Sequence, residues 1–304
     1  MIKKVLCFSN RAYLSCRQRQ LIIKTTDRMT GEPCEYSRPV EDIGAVVIES
    51  GQVTLSSHLI SALLENKAAL IICDEKHMPS GLMLPLEGNT LQSERFEAQI
   101  SASLPLKKQL WQQTVSMKIK NQGAVLKRAN SMEIGNMLAW ASQVRSGDPD
   151  NLEGRAAAYY WKNLFGEDYG FVRGHEGDGP NVLLDYGYAI LRAIIARSLV
   201  ASGLMPTLGI HHSNRYNAYC LADDIMEPYR PYVDLMVLDI MRKHQLPPEI
   251  SNETKRHLLS IPVIDVRMGK LSRPLMVAAS MTTASLAKCY LGTTRKLLYP
   301  EIET

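Results

Sequence analysis

The sequence has no apolar run near the roughly 20 residues that a membrane-spanning helix requires. Its most hydrophobic stretch, from Tyr188 to Leu204, is broken by Arg192 and Arg197. The opening residues carry Lys3 and Lys4, but too few apolar residues precede Ser9, Asn10 and Arg11 to make the core of a secretion signal. A cytoplasmic protein with no membrane association is therefore expected. Cys7, Cys16, Cys34, Cys73, Cys220 and Cys289 form no C-x-x-C pair. That argues against a structural zinc site and against disulfides, and leaves most of these cysteines as small buried hydrophobes. Internal repeats and low-complexity tracts are missing too. So are a Walker loop, an H-E-x-x-H helix, a G-x-S-x-G elbow and an EF-hand loop. The glycine-rich stretch Gly174 to Gly179 follows a helical pattern rather than a strand, so it reads as a mobile surface loop instead of a dinucleotide cradle.

What is present is an ordinary globular composition, 45% apolar and 22% charged over 304 residues. A chain of this length buries a large core unaided and suggests two domains. The net charge of +4 is mild. Its distribution says more: residues 1–90 hold 10 basic and 10 acidic side chains, and residues 91–304 hold 25 and 21. Any surface for a polyanion belongs mainly to the second part.

The chain reads as α+β, a small N-terminal β-rich domain over residues 1–80, a linker over 81–90, and a larger all-α domain over 91–304. Short runs rich in Val, Ile and Thr, at residues 4–9, 13–15, 20–25, 43–49, 52–55 and 69–73, predict strands. One amphipathic helix capped by Ser56 or Ser57 is inserted among them. The stretch 79–89, with two prolines and two glycines, reads as the connection. Helical periodicity then dominates over 92–102, 107–128, 132–145, 152–165, 182–202, 216–244, 253–259 and 274–290. In the second of these, Leu106, Leu110, Val115 and Met117 mark the buried stripe. Lys107, Lys108, Lys118, Lys120, Lys127 and Arg128 fall on its polar side.

Three separated segments of the helical part offer ligands for a hard cation. Glu153 lies in the first turn of a helix opened by Pro149 and Asp150, followed by the small residues Gly154 and Ala156 to Ala158. Taken alone, it need only complement the helix dipole. His211 and His212 stand just before a helix, and a lone histidine is more often structural than ligating. Asp224 and Glu227, three residues apart, share one helix face. Two such charges are costly unless a cation or proton neutralises them, although a solvated face with Arg230 as partner explains them equally well. Pro228 and Pro231 should bend or interrupt that helix. Together, two or three carboxylates and one imidazole suit Mg²⁺ or Mn²⁺, the usual companions of phosphoryl chemistry.

Four segments in order, Asn151 to Ala157, Asn181 to Leu191, Leu208 to His212 and Asp223 to Pro231, make the chain resemble the CRISPR-associated integrase family (Cas-one). The motifs are closest in tone to the type II branch that accompanies Cas9. The resemblance covers essentially the whole chain. It implies a metal-dependent DNA endonuclease and integrase that joins 3′-hydroxyl ends of short foreign DNA fragments into the repeat array by transesterification. Carried over residue by residue, it makes Glu153, His212 and Glu227 both metal ligands and catalytic residues. It leaves Asp224 as a possible outer ligand and assigns no role to Asp185. Implied partners are double-stranded DNA (the incoming fragment and the repeat array), a second copy of the chain joined through the β-domain, and the small protein Cas-two, in a heterohexamer. Cas9 and an additional adaptation protein are open as further associates. Lys107, Lys108, Lys118, Lys120, Lys127, Arg128, Arg267, Lys270 and Arg273 are candidate phosphate contacts. A plain metal-dependent nuclease, with water in place of the 3′-hydroxyl, uses the same ligands, and a non-catalytic DNA-binding scaffold is the alternative outside enzymes.

Overall fold

The computed structural model describes residues 3–27, 30–75, 77–166, 171–174, 179–243 and 251–303. Most of the loop expected at 174–179 lies outside them. The chain divides into two compact units, Met1–Gly88 and Asn89–Thr304. The fold is mixed α+β, with a β-rich first region and a mostly helical second one.

The first unit holds strands β1 (Lys4–Phe8), β2 (Ala12–Arg17), β3 (Gln20–Thr26), β4 (Pro33–Pro39), β5 (Ile43–Ile48) and β6 (Val53–Leu55). Helix α1 (Ser57–Glu65) follows, then β7 (Ala69–Cys73) and β8 (Pro79–Met83). They form two four-stranded sheets, ordered β1-β5-β7-β8 and β4-β3-β2-β6. All six residues of β5 are buried. It runs parallel between β1 and β7, so its continuous apolar run is the expected signature of a strand covered on both faces. Leu14, Leu21, Leu59, Leu63 and Leu70 join Ile43 and Val46 in one apolar cluster. The Ser56 hydroxyl caps α1 by accepting from the Leu59 amide. At its other end Asn66 donates to the carbonyls of Val40 and Ile43, which ties the helix to the start of β5.

Two strands escape the sequence pattern. Strand β4 is polar with proline at both ends, and β8 falls partly in the stretch read as linker. Each is the last strand of its sheet, where proline and polar residues are tolerated because one edge needs no ladder partner.

The second unit opens with α2 (Gln92–Ile100) and α3 (Leu104–Asn130), then α4 (Gly135–Gln143), α5 (Leu152–Leu164) and α6 (Pro180–Ala201). Helices α7 (Cys220–Met226) and α8 (Arg230–Lys243) follow, separated by a 3₁₀ turn at Glu227–Tyr229. Next come α9 (Asn252–Leu258), strands β9 (Asp265–Met268) and β10 (Leu271–Pro274), and α10 (Leu275–Tyr290). The long helix expected over 216–244 is thus interrupted. Pro228 sits in the 3₁₀ turn and Pro231 in the opening turn of α8, where no intrahelical amide bond is lost. The β9–β10 hairpin is a departure from the all-α expectation. It turns through Gly269, whose φ of +62° suits glycine.

Helix α3 is central, packed against α4, α5, α7, α8 and the 3₁₀ turn. It therefore buries polar residues as well as apolar ones. Asn121 donates to the carbonyls of Pro228 and Pro300 and accepts from the Ile302 amide, so one buried amide holds the 3₁₀ turn and the C-terminal segment to α3. Where α6 crosses α8, Gly187 is required by proximity: a Cβ there would lie 2.5 Å from Val233. Among the described residues no helix is long and apolar enough to cross a membrane. All six cysteines are free, with Cys220 and Cys289 buried and the other four only partly so, fewer than expected.

Candidate active site

The site is built where α3, the start of α5, the loop before α7, and the 3₁₀ turn meet. Glu153 sits in the first turn of α5. The caps differ from those read in the sequence. Asn151, in the left-handed region at φ +50°, accepts from the Gly154 amide, and the Asp148 carboxylate takes the amides of Leu152 and Glu153. Asp150 instead pairs with Arg145. With the helix N-terminus satisfied by Asp148 and Asn151, the Glu153 carboxylate is free to point elsewhere.

It points at Lys118. The Lys118 ammonium lies 2.6 Å from Glu153 Oε1 and 2.6 Å from Glu227 Oε2, and the other Glu227 oxygen lies 3.1 Å from Arg230. Lys118 is thus no solvated phosphate contact, as its place on the polar side of the pattern suggested, but a buried cation between two carboxylates. It stands four residues from Thr114 and from Gln122, both buried on the same face of α3. Burial pulls the Lys118 ammonium down, but the charges of Glu227 and Glu153 outweigh it and hold the group above its ordinary value. Burial likewise pushes the Glu227 carboxyl up, and Arg230 and Lys118 overcome this to leave it below the ordinary carboxylate value.

The two histidines part company. His211 stacks flat on Trp111, ring centroids 4.2 Å apart. His212 directs Nδ1 to Asp224 Oδ1 at 2.5 Å. That hydrogen bond raises the imidazole most, burial opposes it, and the charges of Asp224, Glu227 and Glu153 add to the rise. Asp224 does more than hold the ring. Fully buried, it accepts from the backbone amides of Ile210, His211 and His212, so one carboxylate shapes the whole loop. Gly209 makes this approach possible, because a Cβ there would lie 2.2 Å from the His212 carbonyl oxygen and 2.8 Å from Asp224 Oδ2.

With Nδ1 taken by Asp224, ligation by His212 falls to Nε2, the arrangement in which an outer carboxylate fixes the tautomer of a metal-binding histidine. Two carboxylates and an imidazole nitrogen are a sound donor set for Mg²⁺ or Mn²⁺. Glu227 Oε2 is buried and, despite its contact with Lys118, receives no directed hydrogen bond, which leaves a lone pair for a cation. As they stand, no three His, Cys, Asp or Glu side chains among the described residues make a ready metal cage; the Lys118 ammonium stands between Glu153 and Glu227. The residues fit the ion in chemistry, and Lys118 holds the position between them.

Beneath the site, the structure adds a group that sequence reading did not single out. Asp234 is buried and accepts hydrogen bonds from Tyr160 and Tyr188. Burial raises its carboxyl to about 7, against the opposing pull of the two tyrosine hydrogen bonds, Arg230 and Arg173. The Arg230 guanidinium lies over the Tyr188 ring, which links this buried pair of tyrosines to the cation beside Glu227. Asp185 pairs with Arg173 on an exposed face.

A β-rich region followed by a helical region with two carboxylates on a shared cation and an acid-held histidine defines a two-part α+β protein. The family model described as "CRISPR associated protein Cas1" matches residues 5–261. The CRISPR-associated endonuclease Cas1 of Neisseria meningitidis serogroup C (strain 8013) is 39% identical over 260 residues, covering 85% of this chain and 83% of the relative. This chain belongs to the Cas1 family. In fold it is similar to a casposase bound to integration product, with a TM-score of 0.78 at 21% identity over 98% of this chain and 92% of the other. It is also similar to a chain of a Cas6-RT-Cas1–Cas2 complex, with a TM-score of 0.74 at 20% identity over 99% of this chain and 36% of the other.

Proposed function

We propose that this chain is the metal-dependent DNA endonuclease and integrase of CRISPR adaptation, acting in the cytoplasm. The reaction joins the 3′-hydroxyl ends of short foreign DNA fragments into the repeat array by transesterification. The observation that carries this reading is the convergence of Glu153 and Glu227 on one ammonium; the charge of both reaches the His212 ring, which Asp224 holds. The Neisseria relative, a CRISPR-associated endonuclease, and the casposase bound to integration product support it.

Glu153, His212 Nε2 and Glu227 would hold the ion, Mg²⁺ or Mn²⁺. When bound, the ion supplies Lewis-acid polarisation of a phosphodiester and stabilises charge on the attacking and leaving oxygens. Asp224 fixes the His212 ring and the loop that carries it, so the ligand set is oriented before DNA arrives. Arg230 keeps Glu227 ionised. An incoming 3′-hydroxyl displaces a 3′-hydroxyl of the array, so no nucleotide cofactor is consumed.

DNA would be held through its phosphates. Lys108, Lys120, Lys127, Arg128, Lys270 and Arg273 are exposed and Lys107 is partly so. Arg128, Arg267 and Lys270 line one open groove beside the β9–β10 hairpin, together with Asp265, Glu301 and Glu303. Binding should therefore weaken steeply with salt and depend little on sequence. A second copy of the chain joined through the β-rich unit, and a small Cas2 partner completing a heterohexamer, follow from the same reading; the likeness to a chain of a Cas6-RT-Cas1–Cas2 complex supports Cas2 as a partner.

The test is a supercoiled plasmid carrying the repeat, incubated with a short 3′-hydroxyl duplex and Mn²⁺. Strand joining that vanishes in Glu153→Ala, His212→Ala and Glu227→Ala, with DNA binding retained, is the expected result. A variant that still integrates at near-normal rate removes its residue from the site. Cleavage without joining reduces the protein to a nuclease, and no Mn²⁺-dependent reaction leaves a scaffold.

A further inference from the structure

Lys118 is the side chain that the proposed chemistry does not absorb. It comes from the middle of the central helix, is buried, and its ammonium contacts both carboxylates of the proposed ligand set at 2.6 Å. It donates a hydrogen bond to Glu153 but meets Glu227 Oε2 without one. Glu227 has a second cation of its own in Arg230. Two carboxylates and two cations leave this part of the site near neutral. A divalent ion bridging these same two oxygens, Glu153 Oε1 and Glu227 Oε2, would compete with the ammonium for them.

We propose that Lys118 is an internal counter-cation that competes with the divalent metal for Glu153 and Glu227, steadying the pair before the ion binds and yielding the position when it does. This rests on the metal reading given above and deepens it. The physical reason is symmetrical. Two buried carboxylates without a cation repel each other and favour a bound proton, so a resident ammonium stabilises the unloaded fold. The same positive charge must be displaced or repelled when the ion enters, so it weakens metal binding by as much as it steadies the empty pair.

The experiment uses the full chain and Mn²⁺ alone, without DNA, and reads affinity by calorimetry or by the electron paramagnetic resonance of free Mn²⁺. Lys118→Met should melt several degrees lower than the unaltered protein when metal is absent. It should bind Mn²⁺ about tenfold more tightly or better, and gain more melting temperature from added Mn²⁺. Lys118→Gln, which keeps a polar group at the position, should move in the same direction by less. Lys288→Met, on the exposed side of α10, removes an equal charge and should leave the affinity where it was. Equal or weaker Mn²⁺ affinity in both Lys118 variants overturns the proposal and reduces Lys118 to a structural tie, while the metal reading stands. No Mn²⁺ binding in the unaltered protein or in either Lys118 variant removes the metal reading and this inference with it. Should neither variant fold, a crystal of the unaltered protein with Mn²⁺ decides. Lys118 displaced from Glu227 by the ion is the expected result, and Lys118 still touching both carboxylates beside a bound ion overturns it.

Discussion

The two units bury different things. Among the described residues, the first unit has an interior of Leu, Ile, Val and Ala, and its one buried charged side chain is Glu49. The second unit encloses Lys118, Asn121, Gln122, Arg197, Asp223, Asp224, Glu227 and Asp234 along with its apolar residues. An apolar interior is held by area and shape and is indifferent to which ions surround it. A polar interior is held only while each group keeps its partner, and it costs more when a partner is lost. The second unit accepts that liability because chemistry on a phosphodiester needs charged groups at fixed places away from bulk water.

The sharpest way to break this contrast is Asp224→Ala. Three backbone amides and the His212 ring lose their acceptor at once, so the expected loss is about 3–5 kcal/mol of unfolding free energy by urea denaturation, together with any metal-dependent strand joining. A loss below about 1 kcal/mol would show that the loop is held by something other than this carboxylate. Next comes Leu21→Ala in the first unit, fully buried in the apolar cluster. About 3 kcal/mol is expected from lost transfer free energy and the cavity left behind. In contrast to the polar site, that loss should be the same at pH 5 and pH 8.

A further effect separates the units by pH. The Asp234 carboxyl titrates near 7 in the folded protein and near 3.8 when unfolded. The folded state therefore binds more protons between these values, and its stability should fall as pH rises through that window. Asp234→Asn, which keeps the shape and one of the two acceptor oxygens without the ionisation, should flatten this part of the stability-against-pH curve measured by thermal melting. An unchanged slope would assign the dependence to other groups. Smallest of all is Ser56→Ala in the first unit. Loss of the cap on α1 should cost about 1 kcal/mol, without pH dependence, because only an amide partner is removed.

Legibility follows the same division. Strands β1, β3, β5 and β7 and the helices of the second unit were readable because apolar residues recur with the period of the element that buries them. β4 and β8 were not, since an outer strand needs no apolar alternation and tolerates proline. The β9–β10 hairpin was missed because the alternation in β9, exposed Asp265 and Arg267 with buried Val266 and Met268, lasts only four residues, and β10 is almost wholly exposed with no alternation. At the candidate site, Glu153, His212 and Glu227 were singled out through the order of motifs along the chain. Their neighbours were hidden. Lys118 carries the same letter as the exposed Lys120 two residues on, and only the packing of α3 on five neighbours tells the two apart.

By itself the sequence determined the α+β order of elements, the family, and the residue types able to hold a hard cation, because periodicity and motif order are properties of the chain read along its length. Tertiary structure alone decided which charges meet. It set Glu153 and Glu227 on the Lys118 ammonium, gave His212 rather than His211 to Asp224, and placed Asp234 between two tyrosines. Those pairings join residues tens of positions apart, and the strength of each depends on how much water the surrounding helices exclude, a quantity that no local stretch of sequence encodes.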